Sequence, residues 1–294
     1  MNPHTGSYKV LDVPLARREA ANMLDVYWWK HSVYGLLEVD VTVPRRFMAD
    51  HKARTGESLS FTGYLAFCLA RAVDEDKSVQ ALLKGRTQLV VFDDVDVALF
   101  IEREIGGTRA AMMHVIRRAN RKTFQEIHQE IRSVQARPAP ADKGMAPWVR
   151  FFMLQPWPLP KLFSALMRAA VRRDPTIMAA MGGTVGVTAV GMYGQGATGW
   201  GLTPMPHSLD LVVGSIALKP AVVADRIEPR EILHLTVVFD HDIMDGSPAT
   251  RFVRRLVELI ETGYGLAETD VSAEGLFSQS VGQPAPVVSA ATVA

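Results

Sequence analysis

Between residues 185 and 263 the hydrophobic pattern changes period in a way that few architectures accommodate. Three apolar runs suited to strands, Val185 to Tyr193, Leu209 to Leu218 and Glu231 to Asp240, are separated by turns containing Gly or Pro. The last run leads through a short glycine-containing turn into Phe252, Leu256, Leu259 and Ile260, a stripe at helical spacing. Ser247 as N-cap and Pro248 at the first helical position predict where that helix begins, and Gly263 where it ends. A chain that alternates sheet and helix periods in this way builds layers of α and β structure around one core.

The same alternation extends toward the N-terminus. Leu37, Val39, Val41 and Val43 alternate with Glu38, Asp40 and Thr42, which predicts a half-exposed strand over 37–43. Phe61, Tyr64, Leu65, Cys68 and Ala72 fall on one stripe and predict a helix from about Ser60. Val95, Val97, Leu99 and Ile101 predict a second strand, broken at Gly106-Gly107. Thr123 and Glu126 have capping-box spacing, and Phe124, Ile127, Ile131 and Val134 supply the buried stripe of the helix that follows.

From Ala136 to Pro160 repeated prolines, Trp148, Trp157 and Phe151-Phe152 predict a long irregular segment that lines a substrate or a subunit contact. The uncharged run from Pro175 to Leu209 is too rich in glycine and proline for a membrane span and reads as turns and strands. The expected organisation is one domain over 1–275, with an insertion at 136–182, and a flexible tail over 276–294.

Composition removes several classes of function. Thirty-two Lys and Arg against 31 Asp and Glu leave a formal net charge of +1, so no excess field favours nucleic acid or anionic lipid. The basic clusters at Arg117, Arg118, Arg121 and Lys122, and at Arg168, Arg172 and Arg173, read as solvated helix faces. The three prolines between Phe151 and Met167 argue against an amphipathic membrane helix. Cys68 is the only cysteine and lies in an apolar run, which fits a core residue in a reducing cytoplasm. No metal-ligand spacing, phosphate loop or dinucleotide fingerprint is present, and His128 and His234 read as ordinary histidines of regular elements.

Chemistry concentrates in Phe239-Asp240-His241-Asp242-Ile243-Met244-Asp245-Gly246. A histidine where a strand ends is rigidly supported yet exposed, and it can take a proton from a thiol or hydroxyl near neutrality. A carboxylate in so tight a loop needs a partner, which gives Asp245 a structural role in the turn.

This stretch resembles the Asp-His-Arg-x-x-Asp-Gly signature of the dihydrolipoamide acyltransferases, the catalytic domains of the 2-oxoacid dehydrogenase acyltransferases within the chloramphenicol-acetyltransferase-like superfamily. Pro14 to Ala21 is similar to the family's Arg-Arg-x-Ile-Ala opening, Val115 to Thr123 to its Val-Ile-Arg-Asp-Ala-Asp-Arg-Lys-Ser segment, and Gly191-Met192-Tyr193-Gly194 to its Leu-Gly-Met-Phe-Gly segment. The sequence departs from the family at Asp242, where the signature has arginine, at Asp210, where an apolar strand residue is expected, and in the length of 138–182.

The resemblance implies a two-layer α/β sandwich with a mixed sheet, assembled as a homotrimer or as a higher assembly of trimers, with active sites at subunit interfaces. It implies a CoA-dependent acyltransferase that moves an acyl group between coenzyme A and an acceptor thiol, without a metal. His241 would be the general base, and Thr188 would stand where the family's serine binds the tetrahedral oxyanion. Either Arg17 or Arg18 would pair with Asp245. The chain begins almost at the catalytic fold, so a lipoyl group would be supplied in trans by a lipoyl protein or another 2-oxoacid dehydrogenase component, unless another small acceptor is used. A second reading, prompted by Asp242 beside the base, is a catalytically silent homolog serving as an oligomeric assembly core or acyl-CoA-binding module.

Overall fold

A computed structural model describes residues 9–268, apart from 15–16, 19–20, 23, 26–29, 106–107, 138–150, 153, 156–157 and 191–197; for 102–105 and 108–111 it describes the backbone only. In chain order the principal elements are β1 (Ser32–Asp40), α1 (Thr42–Thr55), α2 (Phe61–Glu75), β2 (Leu82–Lys84), β3 (Gln88–Val90), β4 (Val97–Ile105) and β5 (Thr108–Ile116). Then follow α3 (Phe124–Ala136), α4 (Leu159–Arg173), α5 (Thr176–Gly182), β6 (Val185–Ala189), β7 (Leu209–Val223), β8 (Arg226–Asp240) and α6 (Gly246–Glu261).

Six strands form one sheet in the order β1-β8-β7-β6-β4-β5, with β2 and β3 a separate hairpin. Strand β6 is parallel to β4 and β7 and every other pairing is antiparallel, so the sheet is mixed, as expected. One face carries Val187, Leu211, Leu235 and Phe239, which join Leu65, Leu69, Ile127, Leu256 and Ile260 of α2, α3 and α6 in a single buried core. The helix layer on that face completes the two-layer sandwich.

Local chemistry explains the elements that sequence periodicity locates. The Ser60 hydroxyl accepts from the Gly63 amide and starts α2. In α3 the capping box is complete: the Thr123 hydroxyl accepts from the Glu126 amide at 3.2 Å, and the Glu126 carboxylate accepts from the Thr123 amide at 2.7 Å. The buried Tyr64 hydroxyl donates to the Leu259 and Ile260 carbonyls, each 3.0 Å away, tying α2 to the end of α6. Gly263, just beyond that end, takes the left-handed φ of 69° that closes a helix.

Several boundaries differ from the sequence reading. The first strand stops at Asp40 and not at Val43, because the Asp40 carboxylate accepts from the Thr42 amide and turns the chain into α1. Helix α1 escapes periodicity because it buries only Pro44 and His51. The N-cap of α6 is Asp245 and not Ser247; Pro248 sits in the third helical position, where its missing N–H costs no hydrogen bond. The run from Pro175 to Leu209, read as turns and strands, contains α5, and α4 begins at Leu159, inside the segment read as irregular, of which 138–150, 153 and 156–157 lie outside the described residues. Of the three prolines between Phe151 and Met167, which predict no helix there, Pro156 and Pro158 precede α4 and Pro160 sits in its first turn, where its missing N–H costs no helical hydrogen bond; Leu159, Leu162 and Leu166 are exposed.

Three side chains of the basic cluster after β5, those of Arg117, Arg121 and Lys122, are partnered. Arg117 donates to Asp96 and to the Ala179 and Ala180 carbonyls at the end of α5, Arg121 pairs with Asp94, and Lys122 pairs with Glu130. Asn120 of the same segment accepts from Val95 and donates to Asp74, while Arg71 donates to the Asn120 and Lys122 carbonyls. This stretch therefore braces the junction of β4, α2 and α5.

Gly183 makes that junction possible. Its φ is +82°, and a Cβ there would stand 2.6 Å from the Asp96 carbonyl oxygen. Gly183→Ala is expected to lower the unfolding free energy by about 2 kcal/mol or more in urea titration, from left-handed backbone strain plus a clash with backbone that cannot rotate away.

The Gly106-Gly107 break, the Gly191 to Gly194 stretch and the 275/276 boundary lie outside the described residues. Among the described residues no helix is long and apolar enough to cross a membrane, and no group of three or more His, Cys, Asp and Glu could hold a metal ion.

Candidate active site

Strand β8 is buried over its last nine residues and delivers His241 to the surface in the turn that precedes α6. The turn is held from three sides. The His241 amide donates to the His31 carbonyl at 2.9 Å, continuing the β1–β8 ladder one step beyond Ser32 opposite Asp240. The Ile243 and Met244 amides both donate to the Asp240 carbonyl at 3.1 Å, and Met244 is buried in the main core. The Asp240 carboxylate accepts from the Asp242 amide at 3.2 Å. The His241 imidazole is thus carried on a fixed backbone while the residue itself remains exposed.

Beneath the turn lies a buried set of charges that periodicity does not reveal. The Lys30 ammonium lies 3.6 Å from the Asp240 carboxylate, with side-chain exposures of 6% and 3%. Burial pulls the Lys30 pKa down, against the opposing attraction of Asp240 and Asp210. Asp210 is fully buried; its carboxylate accepts from the His207 backbone amide at 3.1 Å and meets His207 Nδ1 at 2.6 Å, while His207 Nε2 meets the Gly182 carbonyl at 2.9 Å. The apolar residue expected at 210 is thus one half of a buried pair, and Gly186 opposite it lacks the Cβ that would collide with the carboxylate.

The carboxylate next to His241 does not stand alone. Asp242 Oδ1 lies 2.8 Å from His31 Nδ1, a contact between residues 211 positions apart. Neither His31, Lys30 nor His207 carries a local pattern that would flag it; only the three-residue spacing of His207 and Asp210 is visible beforehand.

Thr188 is on β6, on the sheet face opposite the helices, half-buried, and its hydroxyl makes no hydrogen bond among the described residues. The ladder sets Thr188 beside Val212 and Val212 beside Thr236, so His241 stands two strands across and five residues along. At ordinary strand spacing the two are about 19 Å apart, so one copy of the chain does not unite them. Asp245 caps the N-terminus of α6 by its backbone, its carbonyl accepting from Ala249, and the side chain makes no cap bond. Arg17 and Arg18 are exposed; Arg18 reaches the Leu154 carbonyl at 3.5 Å, and among the described residues neither meets Asp245. His128 and His234 are buried and bonded, His128 to Glu57 and the Ser60 amide, His234 to Lys219 and the Ser215 carbonyl.

This arrangement of sheet and helices is similar to two solved structures. A crystal structure of a probable dihydrolipoamide acetyltransferase from Listeria monocytogenes 4b F2365 superposes with a TM-score of 0.60 at 20% identity, covering 88% of this chain and 96% of that one. The cubic core of the pyruvate dehydrogenase multienzyme complex superposes with a TM-score of 0.61 at 18% identity, covering 86% and 92%.

The family described as 2-oxoacid dehydrogenases acyltransferase (catalytic domain) matches residues 152–267. The dihydrolipoyllysine-residue succinyltransferase component of 2-oxoglutarate dehydrogenase complex 1, mitochondrial, from Arabidopsis thaliana is 22% identical over 228 residues, which is 76% of this chain and 41% of that protein. The chain therefore spans about two fifths of the length of that curated relative.

Proposed function

We propose that this protein is a CoA-dependent acyltransferase that moves an acyl group between coenzyme A and an acceptor thiol, either a lipoyl thiol supplied in trans or another small acceptor. The observation that carries the reading is the delivery of an exposed His241 by a buried strand into a braced turn, on the fold of the acyltransferase cores. His241 takes the proton as the acceptor sulfur attacks the thioester carbonyl, and returns it to the departing CoA thiolate. The tetrahedral oxyanion forms between these steps. The Thr188 hydroxyl of a second copy donates to it, since the separation within one chain is too large for the two residues to cooperate. A homotrimer, alone or in a larger assembly with 2-oxoacid dehydrogenase components, provides that meeting. Asp245 shapes the turn and the start of α6. A reducing compartment such as the cytoplasm is the proposed setting, because the acceptor must be presented as a free thiol.

The test is thiol release from a panel of acyl-CoA donors, with and without dihydrolipoamide. Release with one donor class supports the reading and identifies the acyl group. No release with any donor would favour the catalytically silent assembly core. Thr188→Val, which removes the hydroxyl at nearly constant shape, is expected to lower kcat by about 10²–10³-fold with little change in KM, whereas Thr188→Ser should retain most of it. Steady-state kinetics on the assembled protein checks both.

A further inference from the structure

We infer that His31 is a positioning residue of the His241 site, paired with Asp242 so that the carboxylate next to the base is occupied by a partner and does not act on His241. The inference rests on the acyl-transfer reading above and extends it to a residue outside the His-x-x-x-Asp-Gly motif.

Three observations carry it. First, the antiparallel ladder puts Ser32 opposite Asp240, and its next rung joins the His241 amide to the His31 carbonyl at 2.9 Å. His31 and His241 are therefore cross-strand neighbours, whose Cβ atoms are ordinarily about 5 Å apart. Second, Asp242 is anchored at both ends, its amide on Asp240 at 3.2 Å and its Oδ1 on His31 Nδ1 at 2.8 Å. Its carboxylate is directed across the ladder to the neighbouring strand. Third, position 242 is where the signature that this sequence resembles has arginine. A lone carboxylate there would favour the imidazolium form of His241 and withdraw it from duty as a base. The imidazole of His31 gives that carboxylate a hydrogen-bond partner on the neighbouring strand.

The pair is too exposed to be explained by stability. The side chain of His31 is 77% exposed and that of Asp242 is 33% exposed, and ion pairs so open to solvent contribute little to folding. The other charges around the turn are engaged or set apart: Lys30 with Asp240, His207 with Asp210, and Asp245 at the first turn of α6. Asp242 is the carboxylate adjacent in sequence whose partner can be removed without opening the core.

His31→Ala is expected to move the acid limb of the pH profile of kcat/KM upward by about 0.5 to 1 unit while the plateau at higher pH is retained. Adding Asp242→Asn should bring the limb back to its wild-type position. His31→Gln, whose amide can still donate to Asp242, should fall between. The titration midpoint of the His241 ring protons, followed by NMR in the same variants, reads the same displacement whether or not any donor is turned over. Unchanged midpoints in His31→Ala, or a displacement that Asp242→Asn does not reverse, would overturn the inference. A displacement seen by NMR in a protein with no activity toward any donor would uphold the pairing and sink the acyltransferase reading instead.

Discussion

Replacing His241 with alanine is expected to lower acyl-CoA thiol release by about 10²–10⁴-fold, the usual contribution of a positioned general base, while leaving the fold and the assembly unchanged. The separation of these effects follows from how the residue is held. The bond that fixes it runs from its backbone amide to the His31 carbonyl, and alanine preserves that bond. The residue is exposed and its side chain fills no core space, so no cavity forms. The decisive measurement is turnover compared with thermal unfolding and sedimentation of the same preparation. Undiminished turnover would remove His241 from the mechanism, and turnover lost together with the oligomer would mean that the turn is structural.

Asp210→Ala should produce the largest loss of stability. Its carboxylate is fully buried and takes both a ring nitrogen and the backbone amide of His207, so truncation strands two polar groups in the interior and opens a void. Breaking one side of a buried pair costs about 3–5 kcal/mol, a large fraction of the 5–15 kcal/mol that a domain possesses. In urea the midpoint should fall with the slope unchanged. Asp210→Asn, which keeps acceptor capacity in the same volume, should lose less. Replacing His207 and Asp210 together with apolar residues should recover only part of the loss: the buried carboxylate and imidazole are both removed, while the backbone amide at 207 and the Gly182 carbonyl lose their partners. Equal losses in all three variants would mean that packing, and not pairing, is what the site supplies.

These sites differ in how legible they were. The Thr123 capping box, the Ser60 start of α2 and the alternation in β4 are local features: the partners lie within a few residues, and the structure contains them, with β4 beginning at Val97 and not at Val95. Helix α1 was not legible because only two of its residues are buried, too few to leave a stripe. Strand β1 was overextended because alternation continues through Val41 and Val43, while the turn is decided by a carboxylate at Asp40. The start of α6 was displaced by two residues, since Ser247 and Pro248 suit any position in a first turn and the backbone at Asp245 makes the choice.

The candidate site divides along the same line. His241 and Asp245 belong to one turn, and Thr188 was reached through a neighbouring segment, so short-range pattern was enough to nominate them. Arg117, Arg121 and Lys122 read as solvated in sequence and are bound in space, because their partners Asp96, Asp94 and Glu130 come from other elements. The residues that hold the turn were invisible for a related reason: Lys30 meets Asp240, and His31 meets Asp242, across some two hundred positions.

Periods, caps and turn residues, and with them the α/β layering and the place of an exposed histidine, are legible locally, because each depends on hydrogen bonds and side-chain spacing within a turn or a strand. Which charges are buried together, what Asp242 touches, and the separation of Thr188 in β6 from His241 in the turn after β8 appear only in the folded chain. Those relations depend on strand order and register, and register is a property of pairing between distant segments that no local pattern encodes.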